Sequence, residues 1–186
     1  SPGDLDTGFS SDGKVLTDIG TADSGRAVAI QADGKVVVAG YALVSGSYDF
    51  AVARYDADGN LDTGFSSDGL VTIDISSTHE LAYGVAIQTD GKIVVVGATG
   101  YGGVNANFGV IRITSSGALD TTFSSDGKID VGVGAADDYA MDVDIASDGD
   151  IVVVGYGSNG SNWDVAAIRL DSSGNLDTEF SSDGKA

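Results

Sequence analysis

Apolar and polar residues alternate with a period of two through most of this chain, and the same alternation returns three times. Val28 and Ile30, Val85 and Ile87, and Val143 and Ile145 each mark a strand with one larger apolar face, opposed by Ala29, Ala86 and Asp144. Asp-Gly follows each of these runs, a hairpin signal. The next runs, residues 36–40, 93–97 and 151–155, are apolar at every position, as in a central strand covered on both faces. A third strand is predicted over 50–55, 108–113 and 165–170, and a fourth over 15–19, 71–75 and 129–133. No stretch keeps a helical period for three turns.

Three strings mark the repeat. Leu-Asp-Thr-x-Phe-Ser-Ser-Asp-Gly starts at Leu5, Leu61, Leu119 and Leu176, intervals of 56, 58 and 57 residues. Val-Ala-Ile-Gln-Ala-Asp-Gly-Lys-Val-Val-Val-Ala-Gly from Val28 returns with substitutions from Val85 and Val143. The third places an arginine in an apolar run, at Arg54, Arg112 and Arg169. The repeats run 4–60, 61–118 and 119–175, and 176–186 starts a fourth.

Four-stranded sheets that are apolar on both faces bury themselves only by stacking on one another. The expected fold is therefore all-β: tandem four-stranded sheets stacked as β-propeller blades, three blades and a partial fourth repeat. Propellers usually close with four blades or more, which leaves an excerpt of a longer array, half of a six-bladed dimeric ring, or an open stack. The strand at 15–19 is left over at one end, and the last blade lacks one at the other. Donation of that strand to a third blade, of the same chain or of another, would cover two open edges. On that reading, removal of residues 1–20 abolishes oligomers.

Charge narrows the partners. With 28 acidic against 9 basic residues the net charge is −19, which repels phosphate backbones and anionic lipid, so nucleic acid is excluded as a partner. The longest apolar runs are too short to cross a bilayer as a helix, so membrane insertion is not expected either. Among the acids only Glu80 and Glu179 are Glu, and Asp with 28 Gly favours turns. The chain has no Cys, hence neither disulfides nor a thiolate site.

The strings together resemble the "delta-sixty" repeats of large bacterial surface and secreted proteins, which are β-propeller repeats of unknown function. The resemblance covers nearly the whole chain. It implies an extracellular or cell-surface location and a structural, adhesive or binding role, and it brings no active site.

Candidate chemistry is sparse. Asp56, Asp58, Asn60 and Asp62 carry side-chain oxygens at alternate positions, the pattern of a calcium loop. The other copies are poorer, no Glu closes the loop, and the competing reading is a turn capped by Asp and Asn, so no cofactor is required and calcium is the one candidate. Arg54, Arg112 and Arg169 are read as scaffold, tied to Asp62, Asp120 and Asp177. The loops 42–48, 99–106 and 157–163 vary most and would open on one rim, where Tyr48, Tyr101 and Trp163 are candidates for stacking on a glycan. The lone His79 is read as a solvated loop residue in a segment with no match in the other repeats. No Ser lies in a Gly-x-Ser-x-Gly elbow, and Asp142 and Asp144 share one strand, a poor arrangement for flanking a scissile bond, so no enzyme is expected. The leading expectation is a structural module that associates with itself, as an oligomer or fibre, and the alternative is an adhesin or lectin-like propeller.

Overall fold

The computed structural model describes residues 3–76, 78–103 and 105–186. Eleven strands run in chain order: β1 Asp23–Ile30, β2 Val36–Val44, β3 Ser47–Tyr55, β4 Leu70–Ile73, β5 Leu81–Ile87, β6 Ile93–Thr99, β7 Asn107–Ile113, β8 Lys128–Val131, β9 Asp138–Ile145, β10 Ile151–Ser158 and β11 Trp163–Leu170. No helix occurs among the described residues. The strands form three antiparallel meanders, β1-β2-β3-β4, β5-β6-β7-β8 and β9-β10-β11, the blades of the all-β repeat. Each blade begins with a strand of the Val28 type, so the blade frame is offset from the sequence frame, and β4 comes from the repeat that follows β3 in sequence.

The two-residue period decides which side chains meet. In the first blade Val37, Ala39, Phe50 and Val52 share one face, here called the front. They pack on Ile93, Val95, Ile111 and Ile113 from the back of the second blade. The front of the second blade, Val94, Val96, Phe108 and Val110, packs in the same way on Ile151, Val153, Ile168 and Leu170. The core is thus two repeated seams, and only the second blade is covered on both sides: β6 is buried along its whole length, as the unbroken apolar run predicts. In β10, on the last blade, burial alternates instead.

Each inner strand carries one extra residue. Arg26 in β1, Tyr83 in β5 and Met141 in β9 are bulged out of the ladder with β2, β6 and β10. Opposite each bulge stands a glycine, Gly40, Gly97 or Gly155. A Cβ at Gly97 would run into the carbonyl oxygen of Leu81, so the bulge explains why every Val-Val-Val-type run ends in Gly.

The strand expected over residues 15–19 does not form. Fourth strands pair with the β3-type strand just before them in sequence, and residues 15–19 have none beside them. They lie across the back of the first blade, where the Thr17 and Tyr55 hydroxyls are 2.7 Å apart. Nor do they complete the third blade. Lys185 bridges Ile168 there, and Ala167 and Ala186 exchange hydrogen bonds of 2.7 and 2.8 Å.

Candidate functional site

The recurring arginines form the clearest constellation. Arg54 sits on β3 and Arg112 on β7, both on the front face and only 4% and 3% exposed. Arg54 Nε donates to Asp62 Oδ2 at 2.9 Å, and Arg112 Nε to Asp120 Oδ2 at 2.8 Å. The second branch of each fork leaves the blade. Arg54 Nη1 donates to the Ser115 carbonyl of the second blade and Arg112 Nη1 to the Ser172 carbonyl of the third, both at 2.6 Å. Each guanidinium also lies 4.5 Å from a ring centroid, Phe65 or Phe123. Burial opposes ionisation of Asp120, but Thr122 and the Arg112 charge outweigh it and hold the carboxyl below the usual Asp range. Sequence reasoning found the Arg–Asp pairs; it missed the bond across the seam.

Around this tie the nine-residue motif makes two further contacts with the next blade. The amide of Ser66 donates to the Ser116 carbonyl at 2.9 Å, and that of Ser124 to the Ser173 carbonyl at 2.8 Å. Phe65 packs on Gly117 and Phe123 on Gly174, glycines whose φ of +89° and +87° places them in tight turns. A Cβ on Gly174 would stand 2.9 Å from the Phe123 ring. The motif is therefore a clasp: it ends one blade and grips the next.

A second seam element escaped the sequence reading. Glu80, fully buried, accepts the amides of Ile75, Ser76 and Thr78 at 3.4, 3.2 and 3.3 Å and the Ser76 hydroxyl at 2.8 Å. Asp138 accepts the amides of Val133 and Gly134, and Asp23 those of Ile19 and Gly20. The three carboxylates cap the turn that enters each blade. The segment around Glu80 thus has matches after all, at intervals of 57 and 58 residues, a signal blurred by the Glu-for-Asp exchange. Burial pushes the Glu80 carboxyl up against the pull of these donors. His79 beside it is half-buried rather than solvated: its Nδ1 accepts the Tyr48 amide at 3.1 Å.

The rim aromatics divide into two groups. Tyr101 and Trp163 come together through Tyr139, whose ring centroid is 6.3 Å from the first and 5.8 Å from the second. With Tyr83 and Tyr156 they line an open recess of about 550 Å³. Burial pushes the Tyr83 phenol up to about 12. Tyr48 is elsewhere, against Tyr41 and His79 at 5.4 and 5.5 Å. Val104, in the second rim loop, lies outside the described residues.

The calcium-type loop is used as a turn. Asp56 Oδ1 accepts the amides of Asp58 and Asn60 at 3.0 and 2.9 Å, whereas Asp62 is engaged by Arg54 and by Lys35 at 3.1 Å. Among the described residues, no three His, Asp or Glu side chains converge as a cation site. Asp142 and Asp144 stand on the front of the third blade beside Val154 and Val152.

That front corresponds to the faces buried in the two seams and is left open, with Asp142 and Asp144 where the second blade has Gly84 and Ala86. Ala39 and Val96 are fully buried at the position that Val154 occupies with 41% exposure, and Phe50 and Phe108 are buried where Val165 is 86% exposed. Arg169 keeps its carboxylate, Asp177, but its side chain is 27% exposed, and Phe180 has no turn glycine to rest on. The back of the first blade is covered in part: Val28 and Ile30 are 64% and 71% exposed.

No curated protein matches the chain. Three segments, 31–65, 88–123 and 146–180, match the family described as "Domain of unknown function (DUF5122) beta-propeller". Each segment spans the hairpin of the two middle strands and ends in the clasp, at Phe65, Phe123 and Phe180. Together they cover more than half of the chain, and in step with the three observed sheets they establish that this protein belongs to the DUF5122 beta-propeller family.

Proposed function

We propose that the chain is a non-catalytic, self-associating β-propeller module of a bacterial cell-surface or extracellular assembly, in which the front of the third blade takes the back of the first blade of a second copy. The observation that carries this reading is the open front of the third blade, which presents the same positions that are buried in both internal seams. A contact of this kind is heterologous, so it closes into a ring or runs on as a fibre.

One position of the open front puts the same pairing to the test. Within the chain, a Cβ on Gly84 of the second blade would stand 3.0 Å from the Asp142 Cα of the third. Carried one blade on, Asp142 takes the place of Gly84 and Ala27 of the second copy that of Asp142, so the Asp142 side chain stands at the tightest point of the new seam. The Arg26 guanidinium is turned to the other face, 5.2 Å from the Tyr41 ring centroid on the front of the first blade. Sedimentation velocity over a concentration series tests this. Assembly is expected to weaken at least tenfold in Asp142→Arg and to strengthen at least tenfold in Asp142→Gly, which restores the residue type of Gly84. Unchanged assembly in Asp142→Arg overturns the arrangement.

A second reading, a lectin-like adhesin, is favoured by the five-aromatic recess at Tyr101 and Trp163. Binding on a glycan array that is lost in Trp163→Ala would select it, and an array without hits would remove it.

A further inference from the structure

The seat on the back of the first blade is already taken, by the chain itself. Phe9 packs on Gly59, whose φ is +83°, as Phe65 packs on Gly117 and Phe123 on Gly174. The Ser10 amide donates to the Asp58 carbonyl at 2.7 Å, the bond that Ser66 and Ser124 make in the internal seams. Residues 5–13 therefore repeat the clasp that 176–184 offers on the third blade.

We propose that residues 5–19 are an intramolecular plug, which must leave before the 176–184 clasp of a second copy can sit down; this deepens the stacked reading above and rests on it. The plug imitates the clasp but not the blade behind it. It brings no arginine to the Ala57 carbonyl, the counterpart of the Ser115 and Ser172 carbonyls held by Arg54 and Arg112. Its residues 15–19 form no ladder, and a recess of about 450 Å³ separates them from Val36, Val38 and Ala53. Val28 and Ile30 lie beyond its reach. A whole blade front would cover that apolar surface and add the arginine tie, so an incoming blade has more to bury than the plug it displaces.

Two variants of the full chain, one on each clasp, separate the possibilities. Phe9→Ala loosens the plug and is expected to raise the association constant at least tenfold; Phe180→Ala weakens the incoming clasp and is expected to lower it at least tenfold. Neither Phe lies in the two seam cores. In parallel, a fluorescein-labelled peptide of residues 176–186 is titrated into each full-length variant, and is expected to bind Phe9→Ala at least tenfold more tightly than the wild type. If Phe9→Ala assembles no better than the wild type, or loses assembly as Phe180→Ala does, the plug is overturned while stacking stands. If Phe180→Ala and Asp142→Arg both assemble like the wild type, stacking fails, and the peptide still judges the plug: equal binding to the wild type and to Phe9→Ala overturns it.

Discussion

Arg112 spends its guanidinium in two directions at once, on Asp120 of its own blade and on the Ser172 carbonyl of the next. The first bond was legible in the sequence, because Arg and Asp recur at one spacing in every repeat and a buried guanidinium needs a carboxylate. The second was not, because the acceptor is a backbone carbonyl sixty residues away, and any residue type supplies one. Arg112→Met leaves the buried Asp120 with Lys92, 3.6 Å away, as its cationic neighbour, so unfolding in denaturant is expected to show a loss toward the lower end of about 3–5 kcal/mol. Arg169→Met, at the open front, is expected to cost below about 1 kcal/mol, because solvent screens a pair exposed to that degree. Equal losses would refute the two-way tie. Acid titration reads the same group. The folded-state pKa of Asp120 lies below its unfolded value, so its contribution is present above about pH 4 and is lost as pH falls through the folded value. Asp120→Asn is therefore expected to be less stable than the wild type at pH 7 and to lose less of its stability between pH 4 and pH 2. Glu80, raised by burial, has the opposite sign and does not mimic this effect.

At the scale of the strand, pattern predicted existence better than partnership. The alternation at 28–30 and the unbroken apolar runs correctly marked β1, β2, β6 and β10. The equally good alternation at residues 15–19 failed, since a strand is a relation between two edges and no free edge of the right kind stands beside it. The bulges were illegible for a similar reason: they show only in the register, yet the glycines opposite them stood in plain view. Gly97→Ala forces a methyl group into the Leu81 carbonyl, a backbone atom that cannot swing aside. The expected cost is about 3 kcal/mol or more, measured by thermal and chemical unfolding. Gly132→Ala, whose Cβ would meet the movable tip of the Asn107 side chain at 3.2 Å, serves as the control and is expected to cost about 1 kcal/mol or less.

For the whole molecule, apolar burial and net charge act against each other. Two copies that approach each bring a charge of −19, so repulsion opposes assembly at low ionic strength. The open faces, with Val154, Val165, Val28 and Ile30 exposed, favour it regardless of salt. The screening length falls from about 10 Å at 0.1 M salt to about 3 Å at 1 M, which removes most of the repulsion and leaves the apolar term intact. Assembly of the wild-type chain is therefore expected to strengthen several-fold between 50 and 500 mM sodium chloride, read as a shift of the dissociation constant in sedimentation equilibrium. The plug reverses the expectation drawn from an N-terminal strand given away to a partner: if residues 5–19 guard the seat, loosening them with Phe9→Ala promotes assembly at every salt concentration. Assembly that weakens steadily with salt would mean that ionic contacts, and not the open blade faces, hold the copies together.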